Sequence, residues 1–134
     1  MNKQFDKCPY RKINTQTAVI DASPHQLISL LYSGLLEQLS ITKGCIERSD
    51  TEGRCFSINR SIRILGGLSE FIDLNVASGS LARNLMNLYN YMIRRLSKAN
   101  ILSDEKIIDE VINLIIPIQA SWISVSSKTQ KIIN

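Results

Sequence analysis

The sequence contains few residues that interrupt helices: three prolines and six glycines among 134 residues. β-Rich domains depend on many tight turns, and glycine and proline supply the backbone geometry of those turns. Their scarcity therefore favours long helices over a turn-rich β-protein. A chain of this length is expected to form one domain around one continuous core.

Cysteines and long apolar runs are also scarce. The three cysteines are odd in number and have no C-x-x-C spacing, which disfavours a secreted disulfide framework. The first ten residues lack the apolar segment of a secretory signal. The densest apolar stretch, residues 114–118, is far shorter than the roughly 18 residues of a membrane-spanning helix. We therefore expect a cytoplasmic protein with reduced thiols and no stable membrane insertion.

The usual residues of catalytic and metal sites are sparse as well. The single histidine, His25, cannot supply the paired Glu-x-x-His motifs of a di-iron bundle. Nucleophilic catalysis would have to recruit the same histidine, and neither common glycine-rich phosphate loop occurs. Cys45 and Cys55 are expected to pack as small apolar groups. The sequence predicts no enzymatic activity, no catalytic residue, no metal site and no cofactor.

The formal net charge of +4 raises the alternative of a nucleic-acid partner. Residues 76–102 carry only basic charges, whereas acidic residues gather in 103–127, as is typical of neighbouring bundle helices that compensate each other. Arg94 and Arg95 beside Tyr91 could contact a phosphate backbone. A recognition-helix signature, an aromatic platform and a dense Lys/Arg run are all missing, so we predict no nucleic-acid partner.

Apolar residues at helical spacing predict a first helix that begins at Ser23-Pro24-His25-Gln26 and ends near Arg48. Ser23 and Gln26 have the spacing of a capping box, and proline suits the first helical turn. A second helix follows the break at residues 49–53. Its Gly66-Gly67 pair costs about 1 kcal/mol per glycine relative to alanine, so we expect a neighbouring helix backbone to approach closely there.

Two further helices each carry two adjoining apolar stripes, which is more than a simple bundle needs. The third covers about residues 80–100, and the fourth is predicted to begin with a Ser103 cap. Pro117 removes a backbone donor and is expected to kink or end the fourth helix near Ile116. The extra apolar surface leaves two compatible options: a central position in the bundle, or an external groove for an amphipathic chain.

Four helices of about 20 residues with short links predict an all-α, antiparallel up-and-down four-helix bundle. Residues 1–21 have no sustained period and are expected to form an extended or partly helical N-terminal arm. The bundle is expected over 22–126, followed by a flexible tail over 127–134.

An ordered series of motifs extends from Ala22 to Trp122. It includes Ala22-Ser23-Pro24, Leu31-Tyr32-Ser33-Gly34, Ile72-Asp73, Leu88-Tyr89-Asn90-Tyr91-Met92, Arg95-Leu96 and Ala99-Asn100. On these residues the chain resembles the flagellin-specific type III export chaperones, the FliS family. Three residues depart from that family's pattern: Ser33 and Asn90, where aspartate is usual or frequent, and Pro117, in a helix normally free of proline.

The resemblance implies a cytoplasmic chaperone that binds the disordered C-terminal segment of flagellin, prevents its premature polymerisation and aids its delivery to the export gate. It also implies that an N-terminal tyrosine contacts the cytosolic domain of the gate, and Tyr10 is the matching residue. The sequence leaves open a homodimer, and a bundle that only oligomerises remains an alternative function.

Five residues are the candidates for client binding in a groove: Ile28, Tyr32, Leu85, Tyr89 and Met92. The alternative for each aliphatic residue is plain core packing. Tyr89 and Tyr91 are adjacent and point about 100° apart on a helix, so at most one of them can be central core.

The N-terminal arm carries large apolar groups, Phe5, Tyr10 and Ile13, without the period needed for a core of its own. Burying one such side chain is worth about 1.5–3 kcal/mol, and ordering each residue costs about 1–2 kcal/mol. We therefore expect weak, reversible docking of the arm as a lid on the client surface.

Overall fold

The computed structural model describes residues 23–75 and 79–133 and consists of four helices. They are α1 (Pro24–Glu47), α2 (Thr51–Asn75), α3 (Ser80–Leu102) and α4 (Glu105–Ile133). Within those two ranges no strand occurs. The predicted all-α fold is confirmed, while the predicted N-terminal arm lies outside the described residues.

The start of α1 follows from residues 23–26. The Ser23 side chain accepts a hydrogen bond from the Gln26 backbone N–H at 3.2 Å, and the Gln26 side chain accepts one from the Ser23 N–H at 2.9 Å. This is the predicted capping box, with Pro24 at the first helical position. The helix ends at Glu47, with Arg48 as its C-cap, one residue from the predicted end.

Contacts between distant residues fix the helix directions. Thr42 near the end of α1 contacts Ser57 near the start of α2, and Trp122 of α4 contacts His25 at the start of α1. Around the bundle, α1 packs against α2 and α4, and α3 packs against the same two helices. The bundle is therefore antiparallel and up-and-down, with α1 and α3 diagonally opposite each other.

The core forms from one face of each helix. Its largest fully buried side chains are Tyr89, Ile28, Leu35, Leu39, Ile58, Leu65, Leu68, Met92, Leu96, Ile108, Ile115 and Val111. Tyr89 is buried, whereas Tyr91 is half-buried, which confirms that only one of the two tyrosines is central. The α3–α4 contact is the least extensive between neighbouring helices.

Pro117 was expected to kink or end α4 near Ile116, and the helix does not end there. The helix continues through the proline to Ile133 and covers residues 127–133, where the sequence predicted a flexible tail. Pro117 is exposed, so solvent can satisfy the carbonyl that lacks its helical donor. Ile115 before it is buried, and Trp122 after it packs on the core, so tertiary contacts on both sides offset the local cost.

Ser103 is not the cap of α4, as was predicted, but the C-cap of α3. Its φ of 51° lies in the left-handed region, and its hydroxyl accepts a hydrogen bond from Arg54 of α2. Asp104 takes the capping role, since its carboxylate accepts a hydrogen bond from the Lys106 N–H at 2.9 Å.

One stretch of the described chain, Glu105–Ser124, is long and apolar enough to cross a membrane by length and composition alone. Its inner face supplies four residues to the buried core: Ile107, Ile108, Val111 and Ile115. Asp109 and Glu110 in the same stretch form ion pairs with α1 and α3. Because a core helix of a bundle passes the same test, this stretch does not indicate a membrane span.

The Gly66-Gly67 pair is not a site of close helix approach. A Cβ atom added at either glycine would meet nothing within 4 Å, so the packing reason inferred from the sequence is wrong. A larger residue would fit at both positions, so packing does not require glycine there.

We predict that Gly66→Ala stabilises the protein by about 0.5–1 kcal/mol, because alanine restricts the unfolded chain and fits the open space. Urea unfolding monitored by circular dichroism measures the change. Gly53→Ala is the matched control, since its Cβ would lie 2.5 Å from Asp50 Oδ2 and 2.7 Å from Cys45 Sγ and should destabilise. A loss of stability in Gly66→Ala would contradict the assignment of open space.

Candidate functional site

A cavity of about 420 Å³ lies at the end of the bundle where α1 and α3 begin. Its lining residues are mostly apolar and come from all four helices: Ile28, Tyr32, Ile72, Leu81, Ala82, Leu85, Tyr89, Pro117, Ile118, Ser121 and Trp122. The volume falls within the roughly 300–1,000 Å³ of typical ligand pockets. The cavity is the candidate functional site.

α3 and α4 line the cavity at one end and are joined by hydrogen bonds at their other end, towards the loop between them. Tyr91 and Arg95 of α3 both bond to Glu110 of α4 at that end. At the far end, Leu85 of α3 and Ile118 of α4 line the cavity from opposite helices. The apolar stripes of these two helices therefore have surface that the bundle does not use fully.

The structure brings four of the five predicted client-binding residues to the cavity: Ile28, Tyr32, Leu85 and Tyr89. Three of these are buried and belong to the core as well, and Leu85 is half-buried. Met92 is 0 % exposed and does not line the cavity, so it is placed in the core. Tyr10 lies outside the described residues.

Sequence reasoning missed several lining residues as site candidates. Leu81 in the first turn of α3 is 72 % exposed and forms part of the rim. Ile118 and Trp122 belong to the apolar stripes of α4 and lie beyond Pro117, where a kink or an end of the helix was expected. The available signals in the sequence were Leu81 four residues before Leu85 and the apolar spacing that continues past Pro117 from Ile118 to Trp122.

Tyr32 and Tyr89 meet at the base of the cavity, where their hydroxyl oxygens lie 2.5 Å apart in a hydrogen bond. Burial raises the pKa of both phenols. Both hydroxyls therefore stay protonated at neutral pH. Because α1 and α3 are diagonal partners, this bond joins two helices that otherwise contact each other little.

Trp122 holds the end of α4 against the start of α1. Its indole Nε1 donates a hydrogen bond to the His25 carbonyl oxygen at 3.0 Å, and the two rings are 5.1 Å apart between centroids. Gln119 also reaches α1, where its amide donates to the Ser33 hydroxyl at 3.3 Å. These contacts position one wall of the cavity.

One ion pair between α3 and α4 lies outside the cavity, between a basic residue of α3 and an acidic residue of α4. The Tyr91 hydroxyl and the Arg95 guanidinium both donate to Glu110, the latter at 2.8 Å. These two hydrogen bonds lower the pKa of Glu110 below its ordinary value. Among the described residues, no group of three or more His, Cys, Asp or Glu side chains could hold a metal ion.

We predict that the contribution of Glu110 to stability depends on pH. A lowered folded-state pKa gives stability that is present above about pH 4.3, the ordinary glutamate pKa, and is lost as the pH falls through the lowered value. Glu110→Gln should lower the free energy of unfolding by about 0.2–1 kcal/mol at pH 7, because the pair is partly exposed. The difference from wild type should shrink at pH 3.

Urea unfolding of both proteins at pH 7 and pH 3 measures this difference. Glu37→Gln, at an exposed position of α1, is the control and should change stability little at either pH. A Glu110→Gln effect that persists undiminished at pH 3 would contradict the assigned ionic contribution.

Comparison with known proteins connects this bundle to a family. The family model described as flagellar protein FliS matches residues 6–129. Flagellar secretion chaperone FliSB of Pseudomonas aeruginosa is 39 % identical over 117 residues, which cover 87 % of this chain and 92 % of the relative. Flagellar secretion chaperone FliS of Salmonella typhimurium is 36 % identical over 120 residues, covering 89 % and 88 %.

The Escherichia coli flagellar secretion chaperone FliS is 32 % identical over 114 residues, which cover 84 % of this chain and 83 % of the relative. The resemblance predicted from the ordered motifs is thereby confirmed, and the four-helix fold agrees with it. The chain belongs to the flagellar protein FliS family, and its role is that of a flagellar export chaperone.

Proposed function

We propose that this chaperone works in the cytoplasm, binds the disordered C-terminal segment of flagellin and does so through the apolar cavity at the open end of its bundle. Binding there prevents premature polymerisation of the client and keeps it ready for the type III export gate. The observation that carries the proposal is the cavity of about 420 Å³ with an exposed apolar rim, in a chain of a flagellar chaperone family.

The shape of the site supports an amphipathic segment as its occupant. An amphipathic helix binds a groove through apolar side chains that recur every three or four residues. Leu81 and Leu85 of α3 are one helical turn apart, and Ile118 and Trp122 of α4 have the same spacing. Two rows of apolar side chains, one on each wall, can therefore contact successive turns of a client helix.

A disordered client sets how much apolar surface the site must bury. Ordering the client opposes binding, so apolar burial must exceed that entropic cost. Chaperoning requires reversible contact and no bond chemistry, and the family membership favours a protein without catalytic activity. The client is accordingly held by surface complementarity and is released unchanged.

We predict that Leu81→Ser weakens client binding while it changes stability little, because Leu81 is 72 % exposed. Isothermal titration calorimetry with the C-terminal segment of flagellin should give roughly equimolar binding to the wild type with a negative heat-capacity change. Loss of one apolar anchor of about 1.5–3 kcal/mol should weaken binding at least tenfold. Met92→Ala should instead cost about 2–5 kcal/mol of folding stability, since Met92 is fully buried.

Ile101→Ser is the matched control for Leu81→Ser. Ile101 is 83 % exposed, lies on the same helix and does not line the cavity. Equal losses of affinity in the two serine variants would show that the cavity rim has no special role. Wild-type binding that survives removal of the C-terminal client segment would refute the proposed client.

We further propose that the arm of residues 1–21 covers part of the client surface until the client displaces it, which frees Tyr10 for the export gate. The support is compositional: Phe5, Tyr10 and Ile13 are large apolar groups without a core of their own. The apolar cavity offers such groups a place to dock reversibly.

Deletion of residues 2–14 should leave client affinity unchanged or higher, because a competing segment is removed, and should weaken binding to the cytosolic domain of the gate. Calorimetry with each partner measures both effects. Tyr10→Ala separates the two roles, since it removes the gate contact and retains most of the arm. A truncated chaperone that loses its client and retains gate binding would make the arm a client-binding element.

A further inference from the structure

Tyr32 and Tyr89 carry hydroxyl groups and belong to the lining of a mostly apolar cavity. The two side chains line that cavity, and the two residues are 2 % and 0 % exposed. Their oxygens are 2.5 Å apart, and either can be the donor. Polar groups in such surroundings are normally paired, because burying them without a partner is costly.

Counting donors shows that the pair is incompletely satisfied. Each phenol has one O–H hydrogen, and one hydrogen bond between them uses only one of the two. Within residues 23–75 and 79–133, neither hydroxyl makes another hydrogen bond. Burial also raises the pKa of both groups, so both retain their hydrogens at neutral pH. Among the described residues, one O–H donor is thus left without an acceptor.

The lining of the cavity limits what can satisfy that donor. The neighbouring residues from α1, α3 and α4 are aliphatic or aromatic, apart from the exposed Ser121, which makes no hydrogen bond to either tyrosine in the described structure. An ionised carboxylate would lose its hydration in these surroundings without a cationic partner. A neutral oxygen on an apolar segment, such as a backbone carbonyl, a side-chain amide or a hydroxyl, meets the requirement without that cost.

We propose that the free O–H of the Tyr32–Tyr89 pair donates a hydrogen bond to a neutral oxygen of the client segment in the cavity. The inference rests on the proposed function and adds a specificity determinant to it. Apolar contacts fill the cavity, and the tyrosine pair selects a segment that places an oxygen acceptor at its base. A segment of equal apolar content without that acceptor binds less tightly.

The proposal predicts different effects for single and double variants. Tyr32→Phe or Tyr89→Phe leaves one hydroxyl, whose hydrogen is still free for the client, so affinity should fall less than twofold. Each single variant should be less stable than wild type, because the bond between α1 and α3 is lost. The double variant has no hydroxyl, and client affinity should fall about two- to twelvefold, the usual range for one hydrogen bond.

Calorimetry with the C-terminal segment of flagellin and urea unfolding of each free variant test this pattern. Tyr91→Phe is the matched control, because the Tyr91 hydroxyl bonds to Glu110 outside the cavity. It should lose stability and retain wild-type affinity. A double variant that binds the segment as tightly as wild type overturns the inference. The proposed function still stands in that case, because the wild type binds the segment.

A wild-type protein that does not bind the segment refutes the proposed function and, with it, the inference. If a variant fails to fold, hydroxyl hydrogen exchange of the wild type still tests the inference. Hydroxyl hydrogen exchange of the two tyrosines, followed by NMR, should slow at least severalfold when the segment is added. Exchange at an unchanged rate in the saturated complex also overturns the inference.

Discussion

The hydrogen bond between Tyr32 and Tyr89 connects α1 to α3 across the diagonal of the bundle. Below it, towards the α3–α4 loop, the helices close around a continuous core that includes Leu96 and Val111. Above it, Leu85 and Ile118 face a cavity instead of each other. The pair therefore lies where the continuous core meets the cavity, at the end of the bundle where α3 and α4 do not pack fully against each other.

The closed end is held by polar contacts that fix how neighbouring helices align. Buried Thr42 and Ser57 are 2.6 Å apart between α1 and α2, and Arg54 joins α2 to Asn100 of α3 at 3.1 Å. Lys43 of α1 is paired with α4, and Arg95 of α3 is likewise paired with α4. Removing apolar surface from the open end can thus leave the fold intact, which is what a reversible binding site requires.

Local signals in the sequence predicted the helices well where short-range interactions decide them. The capping box at Ser23 and Gln26 is an example, since its four residues contain the whole interaction. At Pro117, core contacts on both sides of the proline override its tendency to end a helix, and Ser103 caps α3 instead of α4, with a bond from Arg54. The Gly66 inference failed for another reason, since no neighbouring atom comes within 4 Å of an added Cβ.

The cavity was predictable only in part. An apolar stripe shows which face of a helix is inward, and this placed Tyr32 and Tyr89 at the cavity. It does not show depth, which is why Met92 was grouped with them although it is buried in the core. The bond between the two tyrosines joins residues 57 positions apart, and no sequence period encodes a contact of that range.

Trp122 provides the most direct test of the central claim that the client occupies this cavity. It is the single tryptophan of the chain and lines the cavity wall, so a flagellin segment without tryptophan leaves its fluorescence unobscured. The account predicts a shift of the Trp122 emission to shorter wavelength, with reduced quenching by acrylamide, that saturates at about one segment per chaperone. Tight binding of the segment, shown by calorimetry, with unchanged emission and quenching would place the client elsewhere on the bundle.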